Sequence, residues 1–355
     1  MKLPMLMAVV SMVSCASAGT PPAEEGWTSL FDGKTLHGWV PRGGGDYRVD
    51  EGTILCLTGT GAYGWLCSEK TYGDFVLEIE TKIEGPGNSG VQVRSHIDAK
   101  DLMTGYQFDL DRTRPSSGRL YDEARRKLLQ DVPLRPEARQ ALRQGEWNTM
   151  RMECIGDRLR SWVNGVSIVD HRDAMDLDGI LALQVHSGKD TKIRFRNLRI
   201  RDLGRRKWEP LWNGKDLSGW KTLGEADWRA QDGALAGKLQ KRGYAALATA
   251  APLSEFTMRV VFKSGVEGKA GVSFGAAVPD SDVGSRIGLV GGKPQEWNEL
   301  IVSVHEGRTV VHLNGDRTSD LKGAVTEGPA AIDLVGEGSQ VLLQSVEILG
   351  PARRE

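Results

Sequence analysis

Apolar and polar residues alternate with period two through much of this chain. Phe75–Lys82, Val91–Arg94, Met150–Cys154 and Ile193–Ile200 each put every second side chain into an apolar class. That spacing predicts strands with one buried and one solvated face. Turn formers (GPGNSG, NG, SGKD) separate the runs at intervals typical of antiparallel sheets. Asn164-Gly165 and Asn314-Gly315 are the strongest hairpin dipeptides. One stretch differs: Tyr121–Gly145 is rich in Ala, Leu, Arg and Gln, is broken by Pro133 and Pro136, and predicts two short helices, the second stopped by Gly145.

The pattern occurs twice. WTSLFDGKTLHGW at 27–39 returns as WEPLWNGKDLSGW at 208–220, an offset of 181 that also relates Tyr47 to Trp228 and Gly90-Val91 to Gly271-Val272. Glu146-Trp147-Asn148 and Asn164-Gly165 return at an offset of 150, so the second copy lacks 31 residues between about 95 and 145. Two copies of this size make a tandem pair, not a solenoid. The expected architecture is all-β: two β-sandwich domains, at 25–204 and 205–351, with a short helical insertion in the first. The insertion reads either as a solvated excursion or as a lid or rim over a site, since long structured insertions often carry function.

Composition narrows the classes. The chain has 355 residues, 46 Lys plus Arg, 47 Asp plus Glu and 44 Gly. Balanced charge offers no general attraction to nucleic acid, and the apolar content is too high for disorder. The balance hides an asymmetry: Arg112–Arg143, which the second copy lacks, carries nine basic and four acidic residues. Residues 1–18 combine Lys2, an apolar run from Leu3 to Val13 and Ala16-Ser17-Ala18, the pattern of a secretory signal. Met12-Val13-Ser14-Cys15 also resembles a bacterial lipobox, so a lipid anchor at Cys15 and cleavage after Ala18 stand as alternatives; the anchor would be the only membrane contact. Either way, the expected location is the periplasm or cell surface of a bacterium. Cys56, Cys67 and Cys154 remain, an odd number; Cys56 and Cys67 flank one turn and read either as a disulfide or as small buried apolar residues. No CxxC or HExxH spacing marks a structural zinc site.

Three strands of the first copy carry unusual polar faces. Gln107, Asp109 and Asp111 share one face, as do Gln92 and Arg94, and Gln184 and His186. Acids, amides, a guanidinium and an imidazole together suit a sugar-binding or hydrolytic cleft, although any solvated sheet has a polar face. The second copy is an internal control. It places Gly275, Asp333 and Val335 where the first has Arg94, Gln184 and His186, and approximately Arg286, Gly288 and Val290 where the first has Gln107, Asp109 and Asp111. Scaffold signals persist while this polar set does not, so the first copy is expected to hold the chemistry beside a degenerate second copy. Trp27, Trp39 and Trp147 sit in the repeated motifs and read as core residues.

The motifs LFDGKTLHGW, GNSGVQVRS, GYQFDLD, SGRLY, EWNTMRME, WVNG and GILALQVHSGKDTKIRFRNLRIRDL, in that order, resemble the 3-keto-disaccharide hydrolase family, built on a concanavalin-like jelly roll and related to family 16 glycoside hydrolases. The resemblance covers 27–203 closely and 208–349 more faintly. It implies an oligosaccharide or glycoside already oxidised at C3, whose ketone acidifies the C2 proton so that a base removes it, the C1 aglycone leaves and water adds. Carried onto matching positions, it implies His186 or Asp109 as base and Arg94 as enolate stabiliser. Gln107, Asp111, Tyr121 and Gln184 would orient hydroxyls or a metal, with Asp109, Asp111 and His186 as candidate ligands of a divalent cation. The strand Gln107-Phe-Asp109-Leu-Asp111 lacks the paired glutamates of double displacement. The alternative function is a non-catalytic carbohydrate-binding or cell-surface adhesion module.

Overall fold

The computed structural model describes residues 25–353 except 59–62, 86, 113, 188–190, 265–268, 276–284, 290–291, 294, 324 and 326. The expected export signal at 1–18, with Cys15, lies outside the described residues. Within them, no helix is long and apolar enough to cross a membrane.

Alternation yields four antiparallel sheets that pack as two concanavalin-like jelly-roll sandwiches. One sheet of the first sandwich runs, edge to edge, Val166–Arg172, Arg158–Val163, Asn148–Ile155, Asp74–Ile83, Lys192–Gly204, Thr53–Thr58 and Gly45–Asp50, with Thr28–Ser29 paired to Lys192–Gly204. The facing sheet runs Lys127–Gln130, Leu120–Glu123, Met103–Asp111, Asn88–Ile97, Gly179–Val185, Gly64–Tyr72 and Trp39–Gly43. Phe75, Leu77, Ile79, Val91, Val93, Tyr106, Phe108 and Leu183 fill the space between them. The second sandwich repeats both strand orders, but its smaller sheet ends at Ser285–Gly288 with five strands. The missing 31 residues are thus the counterpart of the last two strands of the seven-stranded sheet and the segment after them.

The repeated motifs fold into a clasp. Asn164 and Gly165 both have positive φ (49° and 79°), as a two-residue hairpin turn of this type requires. Asn148 accepts the Arg143 backbone N–H and the Asn164 amide on Oδ1, while its Nδ2 donates to the carbonyls of Arg143 and Glu146. Asn298 makes the same four bonds with Lys293, Asn314 and Glu296. Of the three repeated tryptophans, only Trp39 is in the core, donating Nε1–H to the Leu30 carbonyl. Trp27 and Trp147 are half-buried and stack under Arg199 and Arg196, so arginine stacking replaces the expected core role.

The insertion departs from expectation. Leu120–Glu123 and Lys127–Gln130 form a hairpin that extends the sheet, and only Pro136–Arg139 is helical. Pairing with the exposed edge of Met103–Asp111 overrides local helix propensity. Val132, Ala138 and Ala141 join the core, so the segment is not a solvated excursion. Cys56, Cys67 and Cys154 are buried free thiols; Cys56 and Cys67 stand in different sheets, and burial raises the pKa of all three thiols.

Arg94 is the second departure. The pairing with Met103–Asp111 shifts register between Val93 and His96, and Arg94 adopts φ 46°. The irregularity sends its side chain into the protein interior, where it is fully buried. Its Nε donates to the Gly73 carbonyl (2.9 Å), one Nη to the Gly156 carbonyl (2.6 Å) and the other to Asp74 (3.0 Å). Arg206 holds the second Asp74 oxygen at 2.7 Å. Removing one partner of a buried ion pair leaves the other uncompensated, so Arg94→Met should destabilise the chain by about 3–5 kcal/mol in chemical denaturation. A loss below about 1 kcal/mol, the range of exposed pairs, would contradict this structural role.

Candidate functional site

The seven-stranded sheet turns its polar face away from the core, and strand register assembles the site there. Gln92 pairs with Gln107 and Gln107 with Tyr121, while Ala182 pairs with both Gln92 and Cys67. One row along, Asp109 pairs with Gly90 and Gln184 with Trp65. An added Cβ at Gly90 would lie 2.4 Å from the Gln107 side chain, which would have to move aside. The gap lets Gln107 lie flat across the floor.

A directed hydrogen-bond chain runs over that floor. Ser95 Oγ donates to Gln92 Oε1 (2.8 Å), Gln92 Nε2 to Gln107 Oε1 (2.8 Å) and Gln107 Nε2 to Asp109 Oδ1 (2.7 Å). Arg119 closes it from the other side, its Nε 2.6 Å from Asp109 Oδ2. Asp109 is only 3% exposed, and burial raises its pKa above the usual carboxylate range against the pull of Gln107 and Arg119. Glu123 is half-buried near Asp109 and His186; burial, then the Asp109 charge, raises its pKa, while His186 and the Ala124 N–H oppose the rise. Burial, then Glu123 and Asp109, also raises the Tyr121 hydroxyl.

The opposite wall is aromatic. Tyr63 lies parallel to Trp65 (centroids 6.2 Å apart, planes at 13°) and edge-on to His186 (4.5 Å). His186 Nδ1 is 2.7 Å from the Ser187 carbonyl oxygen, which only accepts, so Nδ1 carries a proton and Nε2 is the ring nitrogen left to exchange one with a ligand. Two neighbouring buried atoms lack a partner among the described residues, the donor Trp65 Nε1 and the acceptor Gln184 Oε1. Together they can take a ligand hydroxyl as acceptor and as donor.

The structure brings together Asp109, Gln107, Gln184, Tyr121 and His186 from the sequence-derived set, but not Arg94 or Asp111. Arg94 is spent in the interior by its bulge. Asp111 ends its strand and binds the turn that follows: its carboxylate accepts the Arg114 N–H and the Ser116 hydroxyl, and the Ser117 hydroxyl meets its backbone. It borders a separate cavity of about 170 Å³ under the insertion, beside Arg114 and Arg139. Among the described residues Asp109, Asp111 and His186 do not draw together into a cluster that could hold a cation, because the turn after the strand captures the Asp111 carboxylate. Arg119, Glu123, Trp65 and Tyr63 were missed. Arg119 stands in the quoted SGRLY motif and Glu123 lies two residues beyond Tyr121, so a strand reading of this segment would have put Tyr121 and Glu123 on one face. Of the two readings, the insertion is no solvated excursion but a rim of the candidate site, placing Tyr121 and Glu123 at its edge.

The sequence model of the family described as 3-keto-alpha-glucoside-1,2-lyase-like domain matches residues 26–201 and 207–289. Among solved structures, a provisionally assigned glycosyl hydrolase from Parabacteroides distasonis is similar over 50% of this chain and 94% of its own, at 24% identity and TM-score 0.40. A family-66 carbohydrate-binding module from Bacillus subtilis aligns over 49% and 94%, at 16% identity and TM-score 0.35. A galectin-like protein of unknown function from Bacillus subtilis aligns over 47% and 90%, at 13% identity and TM-score 0.39. No curated protein matches the sequence.

Because the floor depends on the gap at Gly90, Gly90→Ala should displace Gln107 and weaken glycoside binding at least about tenfold by calorimetry, the loss of a charge-assisted bond. Gly323→Ala, where a Cβ meets nothing within 4 Å, should leave binding unchanged. Equal affinity in the two variants would show that ligand does not use this floor.

Proposed function

The chain belongs to the 3-keto-alpha-glucoside-1,2-lyase-like family, a carbohydrate-active group, and on that premise we propose that its first sandwich cleaves 3-keto-glycosides. The observation that carries this reading is a half-buried carboxyl of raised proton affinity, Glu123, on the same face as the Arg119–Asp109 ion pair and near the imidazole of His186.

A ketone at C3 lets C2 lose a proton, and the reaction needs a base, an enolate stabiliser and an acid for the leaving oxygen. Glu123 is the base: burial raises its proton affinity toward the neutral range where a base works best. Arg119 replaces Arg94 as the cation that holds the enolate oxygen; Asp109 and Gln107 orient it. The electron pair from C2–H forms the C1–C2 double bond as the C1–O bond breaks, and Nε2 of protonated His186 gives its proton to the departing oxygen. In the second half, neutral His186 takes a proton from water as its oxygen joins C1, and Glu123 returns its proton to C2. Tyr63, lying over Trp65, offers an exposed aromatic face, and Gln184 and Tyr121 offer hydroxyl partners. The amino-terminal pattern supports action outside the cytoplasm, in the periplasm or at the cell surface.

The test is aglycone release from a 3-keto-glucoside and from its unoxidised parent. Release from the keto form alone is expected. Glu123→Gln should lower kcat by about 10²–10⁴-fold and Arg119→Met by about 10²–10³-fold. Sugar binding without turnover would favour the carbohydrate-binding module, and full activity in a Glu123→Gln, His186→Ala double variant would remove the assignment.

The pH profile gives a second check. Glu123 must be ionised to act, so kcat/KM should fall as pH drops through its raised pKa, with the acid limb above the ordinary Glu value of about 4.3. An acid limb at or below that value would exclude Glu123 as the base.

A further inference from the structure

Outside this site, three metal-binding side chains converge where the two sandwiches meet. His171 ends the edge strand Val166–Arg172 of the first sandwich, Asp173 follows two residues later, and His312 belongs to Arg308–Leu313 of the second. One ligand atom from each lies within 4.8 Å of the other two, and His312 Nε2 is 3.8 Å from Asp173 Oδ2. All three are nearly inaccessible, with exposures of 2%, 2% and 4% for His171, Asp173 and His312.

Two observations beyond proximity point to a ligand. His171 Nδ1 and His312 Nε2 are both buried and without a hydrogen-bond partner among the described residues, although buried polar nitrogens are almost always paired. They come from different sandwiches, so no single strand or turn forces the arrangement.

Charges around the cluster come from both sides of the seam. Arg126 bonds Asp122 and Asp173 at 2.6 and 2.7 Å and reaches the Gly315 carbonyl; Arg317 pairs with Asp320, and Arg172 with Asp157. Arg317 shares Asp320 with Arg308, the Tyr106 hydroxyl and the Met175 N–H both bond Asp173 Oδ1, and Asp157 keeps a buried oxygen without a partner among the described residues.

We propose that His171, Asp173 and His312 bind a borderline divalent cation of the zinc class and so fasten the two sandwiches together. Two imidazoles and a carboxylate suit zinc, which takes three protein ligands plus water in tetrahedral geometry. Bonds of about 2.0–2.2 Å put such ligands roughly 3.3–3.5 Å apart, a contraction of an ångström or so from the present spacing. Magnesium, which prefers oxygen ligands, is the wrong ion for this set.

The full chain, stripped with chelator and exchanged into metal-free buffer, should bind one equivalent of Zn2+ by calorimetry and no Mg2+. Co2+ in its place should show the visible bands of a tetrahedral N/O site. Zinc at a hundredfold above its Kd should raise the unfolding midpoint by roughly 5–10 °C. His171→Leu and His312→Leu should each weaken binding more than about 100-fold and abolish the zinc-induced rise, whatever their metal-free midpoints. His37→Ala, on an exposed loop, should change neither. The absence of a saturable equivalent, or its retention in both leucine variants, would overturn the proposal. Neither result depends on turnover, so the site stands or falls separately from the proposed activity.

Discussion

The Arg119–Asp109 pair is the interaction on which the candidate site depends. A carboxylate with 3% exposure has little water to solvate it, so its two oxygens need protein donors. Gln107 supplies one from the same strand and Arg119 the other, from just beyond the turn that follows that strand. That second bond tethers the inserted hairpin over the floor and sets the register that carries Tyr121 beside Gln107. Glu123 follows on the same face of the same strand. One buried acid thereby fixes a guanidinium, an amide, a phenol and a second carboxyl, each on a rigid strand instead of a mobile loop.

Burial decides the chemistry available to these groups. Asp109 is surrounded by donors and still has a raised pKa, because desolvation outweighs two strong hydrogen bonds. Its oxygens are committed, so proton affinity there serves no substrate. Glu123 shares the raised pKa but keeps partial exposure, so its carboxyl remains reachable. Of two acids in one field, solvent access separates the one that orients from the one that can react.

Much of the fold was legible because period-two alternation reports directly on which face of a strand is buried. The duplication was legible through residues whose backbone geometry or bonding the fold dictates. Asn164-Gly165 and Asn314-Gly315 need positive φ, and Asn148 and Asn298 bridge the same loop carbonyls. Alternation also found Gln107, Asp109, Gln184 and His186. It failed at Arg94, where a single irregularity reverses the direction that counting assigns, and at Asp111, where the strand ends and local turn bonds capture the carboxylate. It failed at Tyr121–Gly145 because helix propensity is a weak preference beside an unpaired sheet edge. No local pattern announces pairing with a strand ten or more residues away.

The second sandwich shows what the inserted hairpin contributes. Gly271 again leaves room for a long polar side chain, now Arg286, over the floor; Ser273 stands where the first has Gln92, and Tyr244 matches Tyr63. It too buries an acid, Asp333, bonded by Arg286 at 2.7–2.8 Å and by the Ser273 hydroxyl. The expectation of a copy stripped of polar chemistry is therefore too simple: both sheets solve the same electrostatic problem, a buried carboxylate matched by one arginine. In the second, that arginine comes from Ser285–Gly288, two strands across the same sheet, and no further strand is needed to deliver it. In the first it comes from the segment the other copy lacks, and with it come Tyr121 and Glu123. An ion pair built within the floor closes on itself, whereas one that recruits an extra strand brings a reactive carboxyl to the cleft.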